Sequence, residues 1–138
     1  MIPLVRFGVS LEKELSDKFD RHIREKGYTN RSEAIRDLIR GDLVDAEWLS
    51  EKEVAGAITI VYDHHKRDLL NRLMDVQHDH HTHILSTQHI HLDHHNCLEV
   101  IIAKGKPQEV QELYGRLKSL KGVKHADVAV STMGEGVV

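Results

Sequence analysis

TQHIHLDHHNCLEV, residues 87–100, decides how the second half of this chain folds. Successive side chains of a strand point to opposite sides, so His89 and His91 share one face and Ile90 takes the other. Beyond Leu92–Asn96 the same spacing recurs in Cys97 and Glu99. A hairpin turn centred on His94 sets His91 against Cys97 and His89 against Glu99. Directly opposed residues have Cβ atoms about 4.5–5.5 Å apart. Two imidazoles and a thiol therefore come within reach of one ion. Glu99, on the same face, can hold a ligating imidazole through its second nitrogen.

The neighbouring segments extend the pattern. EVAGAITIVYD (53–63) reads as a strand, and HKRDLLNRLMDVQ (65–77) as a helix with Leu69, Leu70, Leu73 and Met74 inward. The hairpin strands are HILSTQHIHL (83–92) and CLEVIIAKG (97–105). KPQEVQELYGRLKSL (106–120), with Pro107 near its start, is a second helix, and KHADVAVS (124–131) a last strand. The order β-α-β-β-α-β is the split βαβ, or ferredoxin-like, arrangement. Residues 46–52 form a polar linker, this domain spans 53–131, and 132–138 is a flexible tail.

Residues 1–45 have a different grammar. PLVRFGVS (3–10) alternates, with Val5, Phe7 and Val9 on one side and Leu4, Arg6, Gly8 and Ser10 on the other, as in a half-buried strand. Ser10 is placed to cap a helix whose stripe is Leu11, Leu15, Phe19 and Ile23, and Gly27 stops it. Asn30 and Glu33 form a capping-box variant for a second helix with apolar Ala34, Ile35, Leu38 and Ile39. One isolated strand has two open edges. Pairing with the same strand of a second copy, as a two-fold antiparallel ribbon, closes them. The fold class is thus α+β: a dimeric β-α-α unit followed by a ferredoxin-like domain.

Bulk composition bounds the chemistry. The formal charge of −3 gives no global basic signature, so a nucleic-acid face must be local. Residues 1–40 carry nine Lys/Arg against seven Asp/Glu, and residues 41–138 ten against fifteen. The basic surplus sits in the first unit. One cysteine excludes an internal disulfide framework and suits a reducing cytoplasm. No apolar run approaches the ~20 residues of a membrane span.

Ten of the twelve histidines fall between His64 and His95. His64, His65, His80, His81, His94 and His95 read as solvated or secondary sites, and His22 and His125 as surface residues. The hairpin offers three ligands. The dense supply for a fourth is QHDHH (77–81), at the end of the preceding helix, from a neighbouring subunit. Three imidazoles and a thiolate suit Zn, Cu(II) or Ni(II); geometry would choose among them.

Together GYTNRSEAIRDLIR (27–40), HHKRDLLNRL (64–73), VQHDHH (76–81) and HIHLDHHNCLEV (89–100) make the chain resemble the NikR family of nickel-responsive ribbon-helix-helix regulators. The resemblance covers about Val5 to Val130. It implies a cytoplasmic homotetramer, a dimer of dimers built on four ACT-like domains, that represses a nickel-uptake system from a palindromic double-stranded operator. It implies one Ni(II) per chain, in a square plane of His89, His91 and Cys97 with His78 of a neighbouring subunit. It places Arg6, Gly8 and Ser10 in the major groove, where Gly8 departs from the family's usual hydroxyl residue and removes one contact. Asn30, Arg31 and Ser32 would offer helix-start N–H groups to a phosphate. Glu33 and Asp37 match a secondary cation site.

The alternatives to a nickel repressor are a copper or zinc sensor using the same ligands, an ACT-type small-molecule sensor, a metal store, and a hydrolytic zinc enzyme. The last needs an open coordination position, which four protein ligands do not leave.

Overall fold

The computed structural model describes residues 2–138 and divides into two compact units, the first ending at Ile39 and the second running Arg40–Val138. The first contains α1 (Lys13–Glu25) and most of α2 (Arg31–Glu47). Residues 2–12 have no regular secondary structure. The strand expected over Pro3–Ser10 is therefore not formed in the single chain. A ladder needs a partner edge, and here Val5, Phe7 and Val9 are all exposed. Ser10 does not cap α1 either; Glu12 holds that position, with Ser16 N–H bonded to its carbonyl.

The other helix ends follow the residues that should make them. Gly27 takes φ 83°, and Gly27 N–H bonds Arg24 O while Tyr28 N–H bonds Ile23 O. That pair is a Schellman ending, which favours glycine at the left-handed position. Asn30 Oδ1 accepts from Glu33 N–H at 2.9 Å, and Glu33 reaches back to Thr29 N–H and Oγ1. Arg31 makes paired 2.7 Å hydrogen bonds to Asp20, tying α2 to α1. These bonds, with the charge of Arg31, hold the Asp20 carboxyl below its ordinary range.

The second unit has β1 (Val54–Asp63), α3 (Arg67–Asp79), a short 3-10 turn (His81–His83), β2 (Ile84–His91), β3 (Asn96–Gly105), α4 (Pro107–Lys118) and β4 (Val123–Val130). The sheet is antiparallel in the order β2-β3-β1-β4, the ferredoxin-like topology. Period-2 burial along β1 and β3 turns Ile58, Ile60, Tyr62, Cys97, Glu99 and Ile101 to one face. Leu69, Leu73 and Val76 of α3, and Val110, Leu113 and Leu117 of α4, complete that core. Each such aliphatic burial is worth about 1.5–3 kcal/mol before ordering entropy is counted. Met74, expected inward, is 69% exposed, because only the narrower Leu69–Leu73–Val76 stripe meets the sheet.

Two features were not foreseen. Trp48, inside the stretch expected to be a polar linker, packs on the core and donates Nε1–H to Ser131 O. Gly56 makes room for that indole: a Cβ there would stand 3.2 Å from it. His83 places Nδ1 3.2 Å from Lys104 O and Nε2 2.7 Å from a Glu109 carboxylate oxygen, beside the start of α4. Beyond β4, Thr132 donates to Glu47, and Arg40 to the carbonyl of Val138.

Candidate metal centre

Strand register positions the site. β2 and β3 pair with His91 opposite Cys97 and His89 opposite Glu99, the register expected from the hairpin. Across β3 on its other side, Tyr62 stands opposite Cys97. These side chains share the helix-covered face of the sheet. The inner members, Tyr62, Cys97 and Glu99, are buried, and the edge-strand histidines are exposed.

Glu99, 1% exposed, is a buried carboxylate with assigned partners. Its Oε1 lies 2.7 Å from His89 Nε2, and Gln77 Nε2 donates to both oxygens at 3.3 Å. A carboxylate only accepts, so it selects the His89 tautomer protonated on Nε2. The Nδ1 lone pair is thereby left for Tyr62 Oη at 3.3 Å and Cys97 Sγ at 4.0 Å. Burial, then the charges of Glu99 and Cys97, push the Tyr62 phenol well above its ordinary pKa. It stays a neutral donor at any physiological pH.

This geometry fits a bound metal. A metal–sulfur bond of about 2.3 Å and a metal–nitrogen bond of about 2.0 Å together span the Cys97–His89 separation. Glu99 stands to His89 as a carboxylate stands to a ligating imidazole in metal sites generally: it holds the ring through the nitrogen that a metal would not take.

His91 and His78 are placed differently. His91 is aligned with Cys97 along the backbone, but its ring lies edge-on to His64 at 4.9 Å. His78, near the C-terminal end of α3, is exposed and stacks on His81 at 5.8 Å. Within one chain, therefore, His89 and Cys97 are adjacent, and His91 and His78 are not drawn to them. His80, read as solvated or secondary, is buried, with Nδ1 bonded to Val76 O. The helix C-terminus supplies that carbonyl, a relation of sequence neighbours that composition does not reveal.

In the first unit, Arg6, Gly8 and Ser10 are exposed. The Asn30 and Arg31 side chains are engaged with Glu33 N–H and Asp20. What the helix start retains for an anion is the N–H groups of its first turn, Arg31 and Ser32, which have no intrahelical acceptor. Glu33 is occupied by Thr29, and Asp37 accepts from Tyr28 Oη at 2.9 Å.

The chain matches two family models in tandem. Residues 5–43 match the ribbon-helix-helix protein, copG family, and residues 55–131 the NikR C-terminal nickel-binding domain. Proteins assigned as nickel-responsive regulators are similar along nearly all of it. That of Syntrophus aciditrophicus is 56% identical, covering 98% of this chain and 98% of its own. Those of Chlorobaculum tepidum and Pyrococcus furiosus are 57% and 54% identical, over 96% and 98% of this chain and 98% and 99% of theirs. Among solved structures, an uncharacterised protein from Thermotoga maritima matches with a TM-score of 0.52 at 15% identity, covering 57% of this chain and 98% of its own. That likeness concerns the fold alone.

Proposed function

Because the chain belongs to the NikR family of ribbon-helix-helix regulators, we propose that it is a nickel-responsive transcriptional repressor and not an enzyme. His89, His91 and Cys97 hold the ion from one chain, and His78 of a second subunit closes the set. The observation that carries this reading is the pair His89–Cys97, with the imidazole locked by buried Glu99 so that its free nitrogen faces the sulfur. When bound, nickel supplies a bridge between two chains. The chain's own residues do the rest: Glu99 and Gln77 orient His89, and Tyr62 shields the thiolate from one side.

Assembly supplies the link to DNA. Two copies pair through residues 3–10, burying Val5, Phe7 and Val9 and turning Arg6, Gly8 and Ser10 outward to base edges. Arg6 can make two hydrogen bonds to a guanine, while Gly8 makes no side-chain contact. Arg31 and Ser32 N–H groups meet the backbone phosphates. Four second units form the core of a dimer of dimers on a palindromic operator, with one nickel per chain. Ordering that core biases how the DNA-binding dimers are held. A coupling of about 1–3 kcal/mol would raise operator affinity roughly 5–150-fold. The control of nickel uptake in the cytoplasm is the matching physiological role. Among the described residues, no helix is long and apolar enough to cross a membrane.

The test is operator footprinting with and without nickel, on the wild type and Cys97→Ala. Nickel should strengthen the wild-type footprint and leave the variant's unchanged. Equal strengthening of both would overturn the reading.

A further inference from the structure

The second helix belongs to both halves of the chain. α2 runs from Arg31 to Glu47, while the first compact unit closes at Ile39 and the second opens at Arg40. Its first turn carries the N–H groups offered to a phosphate, and its last two turns belong to the metal-binding unit. Those last turns bury little of their own. Leu43 is exposed, Val44 is half-buried, and the buried residue of the helix is Ala34. The final turn is also acidic, with Asp45 and Glu47 and no basic residue, where the negative end of the helix dipole disfavours carboxylates. An acid at that position needs a partner from elsewhere.

The segment after β4 supplies it. Ser131 N–H bonds Ala55 O at 2.9 Å, carrying the β1–β4 ladder one step further, and Ser131 O accepts from Trp48 Nε1 at 2.7 Å. Thr132 Oγ1 then donates to Glu47 Oε2 at 2.8 Å and accepts from Gly134 N–H at 3.0 Å. Gly134, at φ 93°, turns the chain, and Val137 N–H bonds its carbonyl at 3.4 Å. At Gly136 the backbone passes so close to the other Glu47 oxygen that an added Cβ would stand 2.9 Å from it. Two turns before Glu47, Arg40 Nε donates to Val138 O at 3.0 Å.

We propose that residues 131–138 are a strap that seats the end of α2 on the second unit and so carries the effect of nickel to the DNA-binding unit. The second clause rests on the regulator reading given above; the first stands on these contacts alone. A helix of 17 residues is about 25 Å long, so a tilt of about 10° at one end moves the other by roughly 4 Å. Holding residues 40–48 therefore fixes the direction of the helix at its far end. The bonds from Arg40 and Trp48 are exposed, and such bonds are individually weak. Coupling can thus be lost here without loss of the fold. Arg40, Glu47, Trp48 and Thr132 are not among the residues assigned to the metal, so loosening the strap leaves the ion's ligands in place.

The experiment compares the full chain with a variant ending at Ser131 and with Thr132→Val, which keeps the side-chain shape and removes the hydroxyl. Each is measured by amide hydrogen exchange, by nickel stoichiometry with the sulfur-to-nickel absorption band, and by operator footprints with and without nickel. Both variants should keep slow exchange in β1 and β3 and an unchanged nickel stoichiometry and band. In the shortened variant, exchange over residues 40–48 should rise at least about fivefold. Its nickel-dependent gain in operator affinity should fall at least about fivefold. Thr132→Val should move both in the same direction by a smaller factor, and it decides the case if the shortened variant loses the slow exchange of its sheet. Unchanged exchange over residues 40–48 would overturn the strap. Faster exchange with an undiminished nickel gain would overturn its role in coupling. A wild-type footprint indifferent to nickel would sink the regulator reading, while faster exchange over residues 40–48 would still uphold the strap as the anchor of α2.

Discussion

His89 Nε2 and Glu99 Oε1 meet at 2.7 Å across the β2–β3 ladder, one on an exposed edge strand and the other 1% exposed beneath the helices. The contact gives an exposed imidazole a fixed orientation. It also gives a buried carboxylate a partner, without which its desolvation would be costly.

Glu99→Gln keeps the shape and removes the charge. The expected result is a 10–100-fold fall in nickel affinity (roughly the cost of losing an outer-sphere partner). A competition titration against a chelator of known affinity would measure it. Wild-type affinity in the variant would show that the carboxylate does not support the ligand.

Arg6→Ala should abolish selective operator binding while the dialysis stoichiometry for nickel stays the same. Mobility shifts on operator and scrambled DNA would read the first, and metal analysis the second. A retained preference for operator would rule out the ribbon as the reading element.

Asp20 supplies a pH dependence. Its pKa is lowered in the folded state by the Arg31 hydrogen bonds, so it stabilises fully above the unfolded value of about 3.9 and loses that contribution as pH falls through the folded value. Asp20→Asn should therefore destabilise the first unit at neutral pH and flatten its acid limb below about pH 4. Parallel melts at pH 7 and pH 3 would test this, and equal destabilisation at both would contradict it.

Leu73 and Met74 are neighbours with opposite fates, 2% and 69% exposed. Leu73→Ala should cost about 2–5 kcal/mol in urea unfolding, as buried leucines generally do. Met74→Ala should cost within about 0.5 kcal/mol unless assembly buries it. A large loss for Met74 that grows with protein concentration would place it in a subunit interface.

Those two residues also mark how far the sequence could be read. Helical spacing nominated Leu69, Leu70, Leu73 and Met74 together, but spacing gives a stripe and not its width. Which rows touch the sheet depends on how α3 crosses it. The hairpin was far more legible, because alternation and a single turn residue jointly determine register: a slip of one position would have turned Cys97 and Glu99 to the other face. Gly27 and Asn30 were legible for a similar reason, since each satisfies a local backbone demand.

What escaped were relations between distant segments. Trp48 lies in a polar stretch, and nothing nearby announces that Gly56 leaves room for its ring. His80 and His83 were indistinguishable by composition from their solvated neighbours, yet each answers a carbonyl, one in its own helix and one across the fold. The ribbon strand is legible as a pattern and is not formed in the lone chain, where residues 3–10 meet no partner edge.

If two copies pair through residues 3–10 as proposed, completing the first unit is a second-order event. With Val5, Phe7 and Val9 exposed in the lone chain, the strand over residues 3–10 would be gained only on meeting a second copy, and the melting midpoint should rise with protein concentration. A repressor present at few copies per cell would then depend on slow dissociation to stay intact between encounters.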